Sequence, residues 1–161
     1  MPGVTDSLAQ LRDAGWLLAV VTNQPAAAKG SVSVAELEAI QGRVMALVGD
    51  AGISFDAWRT CLHHPNGTVA GLACRCECRK PSPGMLLDIA HELNIDPAQS
   101  WTIGDTDGDI GAGRLAGTAT ALVTNPLSAH KRSGRWPADV IGSDLREAVM
   151  RVLDFDRTYA S

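Results

Sequence analysis

"SWTIGDTDGDIGAGRLAGTATALVT", residues 100–124, sets two apolar runs on either side of a helical stretch. "SWTIG" reads as a short buried strand, "DGDIGAGRLAG" as a helix ending at Gly117, and "TATALVT" as a second strand. The same alternation recurs outward in both directions. Upstream, "TDSLAQLRDAG" puts Leu8 and Leu11 on one helical face and stops at Gly15. "WLLAVVT" (16–22) is a continuous apolar run, the pattern of a strand buried on both faces. "NQPAAAKGS" reads as a loop of small residues. Ser33 and Glu36 stand at capping-box spacing and open a long helix to about Asp50. "FDAWRTC" is a strand, and "SPGMLLDIAHELN" has helical spacing at Leu86, Ile89, Ala90 and Leu93. Downstream, "ADVIG" and "SDLREAVMRVL" close the chain as a short strand and a helix. Strands alternating with helices predict an α/β fold with a parallel sheet covered on both faces. No repeat or linker divides it, so one domain over 1–161 is expected.

The composition is that of an ordinary globular chain, 45% hydrophobic and 20% charged. A formal charge of −4 argues against nucleic-acid or anionic-membrane partners. The longest apolar runs are strand-sized, well short of a membrane span. "MPGVTDSLAQ" has no basic segment followed by an apolar one, so a reducing cytoplasm is the expected compartment. There, clustered cysteines read as metal ligands before disulfides.

All four cysteines lie in residues 61–78. Cys61-Leu62-His63 and Cys76-Glu77-Cys78 are C-x-H and C-x-C pairs separated by twelve residues. Four such ligands suit a closed tetrahedral zinc site. "HPNGTVAG" between them has too little apolar content to order the loop by burial, which favours a metal over free thiols. Cys74 stands as an alternative to Cys76, and His64 to His63.

Two further stretches suit phosphate. "VVTNQ" (20–24) places Thr22 and Asn23 at the end of a strand, where open α/β sheets bind ligands. "TIGDTDGDI" (102–110) does so with Asp105, and Asp109 follows four residues on. A hard cation such as Mg²⁺ takes one or two carboxylates together with water and phosphate oxygens. Lys80, before a Pro-rich helix start, offers an ammonium to the same anion.

Taken with their order, "VVTNQ", "CRKPSPGMLL" and "GDTDGDI" resemble the haloacid dehalogenase superfamily. The C-x-H-H-P and C-x-C-R-K-P-x-P-G-M-L strings narrow this to the zinc-containing D-glycero-D-manno-heptose-1,7-bisphosphate phosphatases and histidinol-phosphate phosphatases. The resemblance runs from about Pro2 to Leu153. It implies a Rossmann-like sheet with a zinc loop, here 61–80, in place of a large cap domain. It implies a phosphomonoesterase acting on a small sugar or polyol phosphate, with structural Zn²⁺ and catalytic Mg²⁺. By position, Thr22 would donate to the transferring phosphoryl group, Asn23 would contact substrate, Lys80 would neutralise phosphate and Arg79 would grip the substrate. Asp105 would hold Mg²⁺ with Asp109 in support, and Cys61, His63, Cys76 and Cys78 would hold zinc.

The family's chemistry uses an Asp-x-Asp pair on a central strand near the N-terminus: the first Asp attacks phosphorus and the second is general acid and base. "MPGVTDSL" contains none. The 161 residues are therefore expected to be impaired or inactive alone, as a shortened phosphatase or as a non-catalytic relative that binds a phosphosugar or a partner. A third expectation is that "VLDFDRTYAS" is a displaced motif, with Asp154 and Asp156 as the carboxylates. In the family's order the central strand lies between "WLLAVV" and "SWTIG". Its absence would leave two open strand edges, inviting a dimer or a swapped strand in a family expected to be monomeric.

Overall fold

The computed structural model describes residues 3–159. The ends of the domain expected over 1–161, and the start of the resemblance at Pro2, lie outside the described residues. In chain order the elements are α1 (Val4–Asp13), β1 (Ala19–Asn23), α2 (Pro25–Ala28), α3 (Val34–Gly49), β2 (Ala57–Cys61) and α4 (Gly84–Leu93). A short 3₁₀ turn (Pro97–Gln99) leads to β3 (Trp101–Gly104), α5 (Asp107–Ala116) and β4 (Ala119–Val123). A second 3₁₀ segment (Pro126–Lys131), β5 (Val140–Gly142) and α6 (Leu145–Tyr159) complete the chain.

Local chemistry sets several of these boundaries. Ser33 caps α3 through the Glu36 amide, and the Glu36 carboxylate accepts in return from the Ser33 amide. At the start of α5 the Asp109 carboxylate accepts from the Thr106 amide and hydroxyl, and the Asp109 amide donates to Thr106 O. Gly117 ends α5 at φ +87°, a left-handed backbone that a side chain disfavours. The run "PAAA" is helical rather than a loop, because Pro25 starts a helix well at its first position and three alanines continue it.

All strand pairs are parallel, but they form two sheets, β1-β2 and β3-β4-β5, with no ladder between them among the described residues. Helix α4 packs on β1, β2 and α5, and α5 packs on β3 and β4. On the other side α6 packs on β4, β5 and α1. A core of Leu11, Leu18, Val48, Ile53 and Val149 lies there, ringed by Trp16, Phe55 and Ile103.

The split corrects two sequence expectations. The strand expected over 16–22 spans Ala19–Asn23, and none of its residues is buried; in β3 only Thr102 is. The cause is a cleft of about 490 Å³ between them, lined by Ala19 and Val21 on one side and Trp101 and Thr102 on the other, with Leu86 and Ile89 of α4 beside it. The Gln24 amide donates to Cys61 O, and Ser100 O accepts from the Ala119 amide. Because backbone groups alternate along a strand, Ala19, Val21 and Asn23 of β1 and Trp101 and Ile103 of β3 turn theirs away from these partners. Two open edges thus border one cleft.

The tail does not fill that cleft with a strand. Helix α6 continues through Asp154 and Asp156, both exposed, because its apolar face of Val149, Val152 and Leu153 keeps helical spacing and packs on the core. Asp156 touches the cleft beside Trp16, Asn94 and Trp101, at the amino ends of β1 and β3. Thr22 and Asp105 stand at the carboxyl ends, so a displaced Asp-x-Asp motif in this tail is ruled out in this fold.

Candidate active site and metal cluster

Lys80 joins the two halves of the molecule. Its ammonium donates to Val21 O at 2.6 Å, a carbonyl on the open edge of β1, and pairs with Asp109 Oδ1 at 2.7 Å on α5. Both side chains are largely buried, 11% and 13% exposed. Asp109 Oδ2 meanwhile accepts from the Thr106 amide at 3.0 Å and hydroxyl at 2.6 Å. One carboxylate therefore caps a helix and anchors an ammonium. Gly104 makes room for it, since a Cβ there would collide with the Asp109 side chain. An ammonium has three protons, and two have acceptors.

Asn23 holds the backbone of Lys80. Its Nδ2 donates to Lys80 O at 3.1 Å, and its Oδ1 accepts from the Lys80 amide at 3.1 Å. Both ends of the amide are engaged with the Lys80 backbone, so Asn23 clamps Lys80 in this structure. Thr22 Oγ1 accepts from Gln24 Nε2 at 3.2 Å, which leaves the Thr22 proton for another acceptor. Asp105 Oδ2 accepts from Asn125 Nδ2 at 3.2 Å, and Oδ1 has no hydrogen-bond partner among the described residues. A carboxylate with one free oxygen at a strand end fits a Mg²⁺ site completed by water and phosphate oxygens. Asp109 is committed to Lys80 and Thr106.

The cysteine loop converges as the C-x-H and C-x-C spacing predicts. One ligand atom from each of Cys61, His63, Cys76 and Cys78 lies within 4.8 Å of the others. The Sγ atoms are 3.6 Å (61–76), 3.0 Å (61–78) and 3.3 Å (76–78) apart, and His63 Nδ1 is 3.3 Å from Cys78 and 4.0 Å from Cys61. Ligands about 2.3 Å from one tetrahedral metal stand about 3.7 Å apart, so the donor set fits zinc. Burial pushes the Cys61 and Cys78 thiols up. Burial acts against Cys76 too, but hydrogen bonds from Cys78 and Cys61 outweigh it and lower its pKa. Three sulfurs and one imidazole nitrogen thus converge on one point, an arrangement that suits a divalent cation. The two alternatives fall away. Cys74 is exposed outside the cluster, and His64 Nδ1 accepts from the Asn66 amide at 3.1 Å.

The same loop carries Arg79 and Lys80. Arg79 Nη1 donates to His63 O at 3.2 Å, so a metal ligand's backbone steadies the guanidinium. Arg75, Arg79, Lys80 and Ser82 line a second, more open groove of about 570 Å³.

The HAD-hydrolase-like family model matches residues 77–148, which include Lys80, Asp105 and Asp109. The D-glycero-β-D-manno-heptose-1,7-bisphosphate 7-phosphatase of Yersinia pestis is 34% identical over 145 residues, covering 90% of this chain and 77% of that protein. The chain belongs to this phosphatase family of the haloacid dehalogenase superfamily. The Escherichia coli K12 enzyme of the same name is 36% identical over 153 residues, covering 92% of this chain and 80% of its own. Among solved structures, the D,D-heptose 1,7-bisphosphate phosphatase of B. bronchiseptica, complexed with magnesium and phosphate, superposes with a TM-score of 0.82 at 31% identity. That match covers 96% of this chain and 84% of that one. The Rossmann-like parallel fold is thus the family's. Among the described residues, no helix is long and apolar enough to cross a membrane.

Sequence reading missed the groups that position the family's motif residues. Gln24 behind Thr22 was given no role within "VVTNQ", and Asn125, Ser128 and Arg132 behind Asp105 lie outside every motif. Asn125-Pro126 alone left a signal, as an Asn cap with Pro at the first helical position.

Proposed function

We propose that this chain binds a heptose bisphosphate and orients one phosphomonoester for Mg²⁺-dependent hydrolysis. The observation that carries this reading is the Lys80 ammonium, held by Val21 O and Asp109 with one donor left for an anion. Thr22 donates its free proton to the phosphoryl group, and Lys80 balances that group's charge in a largely desolvated setting where such contacts strengthen. The free oxygen of Asp105 holds Mg²⁺, which when bound neutralises charge on phosphoryl oxygens. Cys61, His63, Cys76 and Cys78 hold Zn²⁺, and the ordered loop presents Arg79 to the second anionic group of the substrate. The relatives named above carry this sugar phosphate in their names, and one was crystallised with magnesium and phosphate.

The attacking carboxylate and general acid belong, by the family resemblance, to an Asp-x-Asp strand between β1 and β3. A parallel strand added along the cleft would pair with both open edges if each neighbour stood about 4.8 Å away. Such a strand would take over the Val21 carbonyl and release a second Lys80 donor for phosphate.

The test is phosphate release from heptose 1,7-bisphosphate and from histidinol phosphate with Mg²⁺. Residues 1–161 are compared alone and with an apolar-Asp-x-Asp strand fused ahead of them. Release from the fused protein only, faster on the heptose and abolished by Lys80→Ala, is expected. Sugar binding without release in the fused protein would overturn the reading in favour of a non-catalytic phosphosugar-binding protein.

A further inference from the structure

We propose that Asn125, locked by Ser128 and Arg132, is the positioning group that aims the Asp105 carboxylate at Mg²⁺. The inference rests on the proposed role of Asp105 and deepens it. Asn125 lies two residues beyond the end of β4, at the neighbouring strand end. Its Oδ1 accepts from the Leu127 amide at 3.1 Å, which fixes the direction of the side-chain amide. A flipped amide would set two donors against each other there. Nδ2 is therefore the end that meets Asp105 Oδ2, at 3.2 Å.

The backbone behind both residues is tied as well. Arg132 Nη1 donates to Asp105 O at 3.1 Å and to Asn125 O at 2.9 Å, and lies 2.9 Å from Ser128 Oγ. Ser128 Oγ, buried, is also within reach of Asp105 O at 3.0 Å and Asn125 O at 3.1 Å. The turn after β3 and the turn after β4 are thereby clipped together. The guanidinium is directed at carbonyl oxygens, and among the described residues it forms no ion pair with a carboxylate. The carboxylate itself is held by a neutral amide. That division matters, because a cation on Asp105 would compete with the metal, whereas an amide orients one oxygen and leaves the other its charge. Partners of this kind behind a metal ligand commonly account for about 10- to 100-fold in metal affinity.

The experiment titrates the full chain with Mn²⁺ as a spectroscopic stand-in, read by electron paramagnetic resonance, with Mg²⁺ as competitor. Asn125→Ser keeps an oxygen to cap Leu127 but cannot reach Asp105, so it separates positioning from capping. Asn125→Ser and Asn125→Ala are both expected to weaken binding about 10-fold or more, with an altered Mn²⁺ line shape and unchanged zinc content. Weakening in Asn125→Ala alone, with Asn125→Ser binding like the parent, reduces Asn125 to a cap and overturns the inference. Loss in Asp105→Asn with none in either Asn125 variant overturns it while sparing the Asp105 assignment. No loss in Asp105→Asn overturns both.

Discussion

Replacing Asp109 by Asn isolates the charge that the fold places against Lys80. The amide keeps an oxygen for the Thr106 cap, but its nitrogen would face the ammonium that Asp109 Oδ1 now meets at 2.7 Å. With the two side chains 11% and 13% exposed, water offers little compensation, and only Val21 O remains as acceptor. Breaking a buried pair from one side costs about 3–5 kcal/mol, because the remaining charge is left uncompensated. For a chain of this length each kcal/mol moves the thermal midpoint by about 2–4 °C, so a drop of at least about 6 °C is expected. Lys80→Met combined with Asp109→Asn removes both charges and should recover most of the loss. The assay is thermal and urea unfolding of the four proteins of this double-mutant cycle, at saturating zinc so that metal loss does not intrude. A loss below about 1 kcal/mol in Asp109→Asn, the size of a solvated surface pair, would refute the reasoning. So would a double variant no more stable than the single one.

Protein purified without added zinc should contain about one zinc per chain by elemental analysis. Cys76→Ser should lower that content and Cys74→Ser should not; an equal loss at Cys74 would contradict the observed cluster. Glu147 accepts from the Ser143 amide and hydroxyl and from Arg151, which together lower its pKa to about 2. A carboxyl lowered by folding stabilises above its unfolded value of about 4.3 and loses that contribution as pH falls towards the folded one. Ser143→Ala removes the hydroxyl and keeps the amide, so it should move the Glu147 titration, followed by carbon-13 NMR, part of the way up towards about 4.3; an unmoved titration would show that the Ser143 hydroxyl takes no part in the shift.

What the sequence determined is what neighbours in the chain decide. The capping pair Ser33 and Glu36, the Gly117 stop and the order of strands and helices around residues 100–124 depend on contacts within a few residues. The C-x-H and C-x-C pairs were legible for the same reason, since each pair's spacing already sets two ligands side by side. The choice of Cys76 over Cys74 and His63 over His64 was not, because it depends on how residues 61–63 meet residues 76–78 across the loop. Nor was the direction of Asn23, whose amide is claimed by a backbone 57 residues away. The same holds for Asp105, read as a magnesium ligand, which is tied to Asn125, Ser128 and Arg132 beyond the next strand. Burial of "WLLAVV" was misread because an apolar run reports a strand's preference for neighbours on both sides, while only the assembled sheet decides whether both are there. Hydrogen-bond partners distant in the chain leave no periodic mark, so the identities of the functional residues were local information and their aim was tertiary.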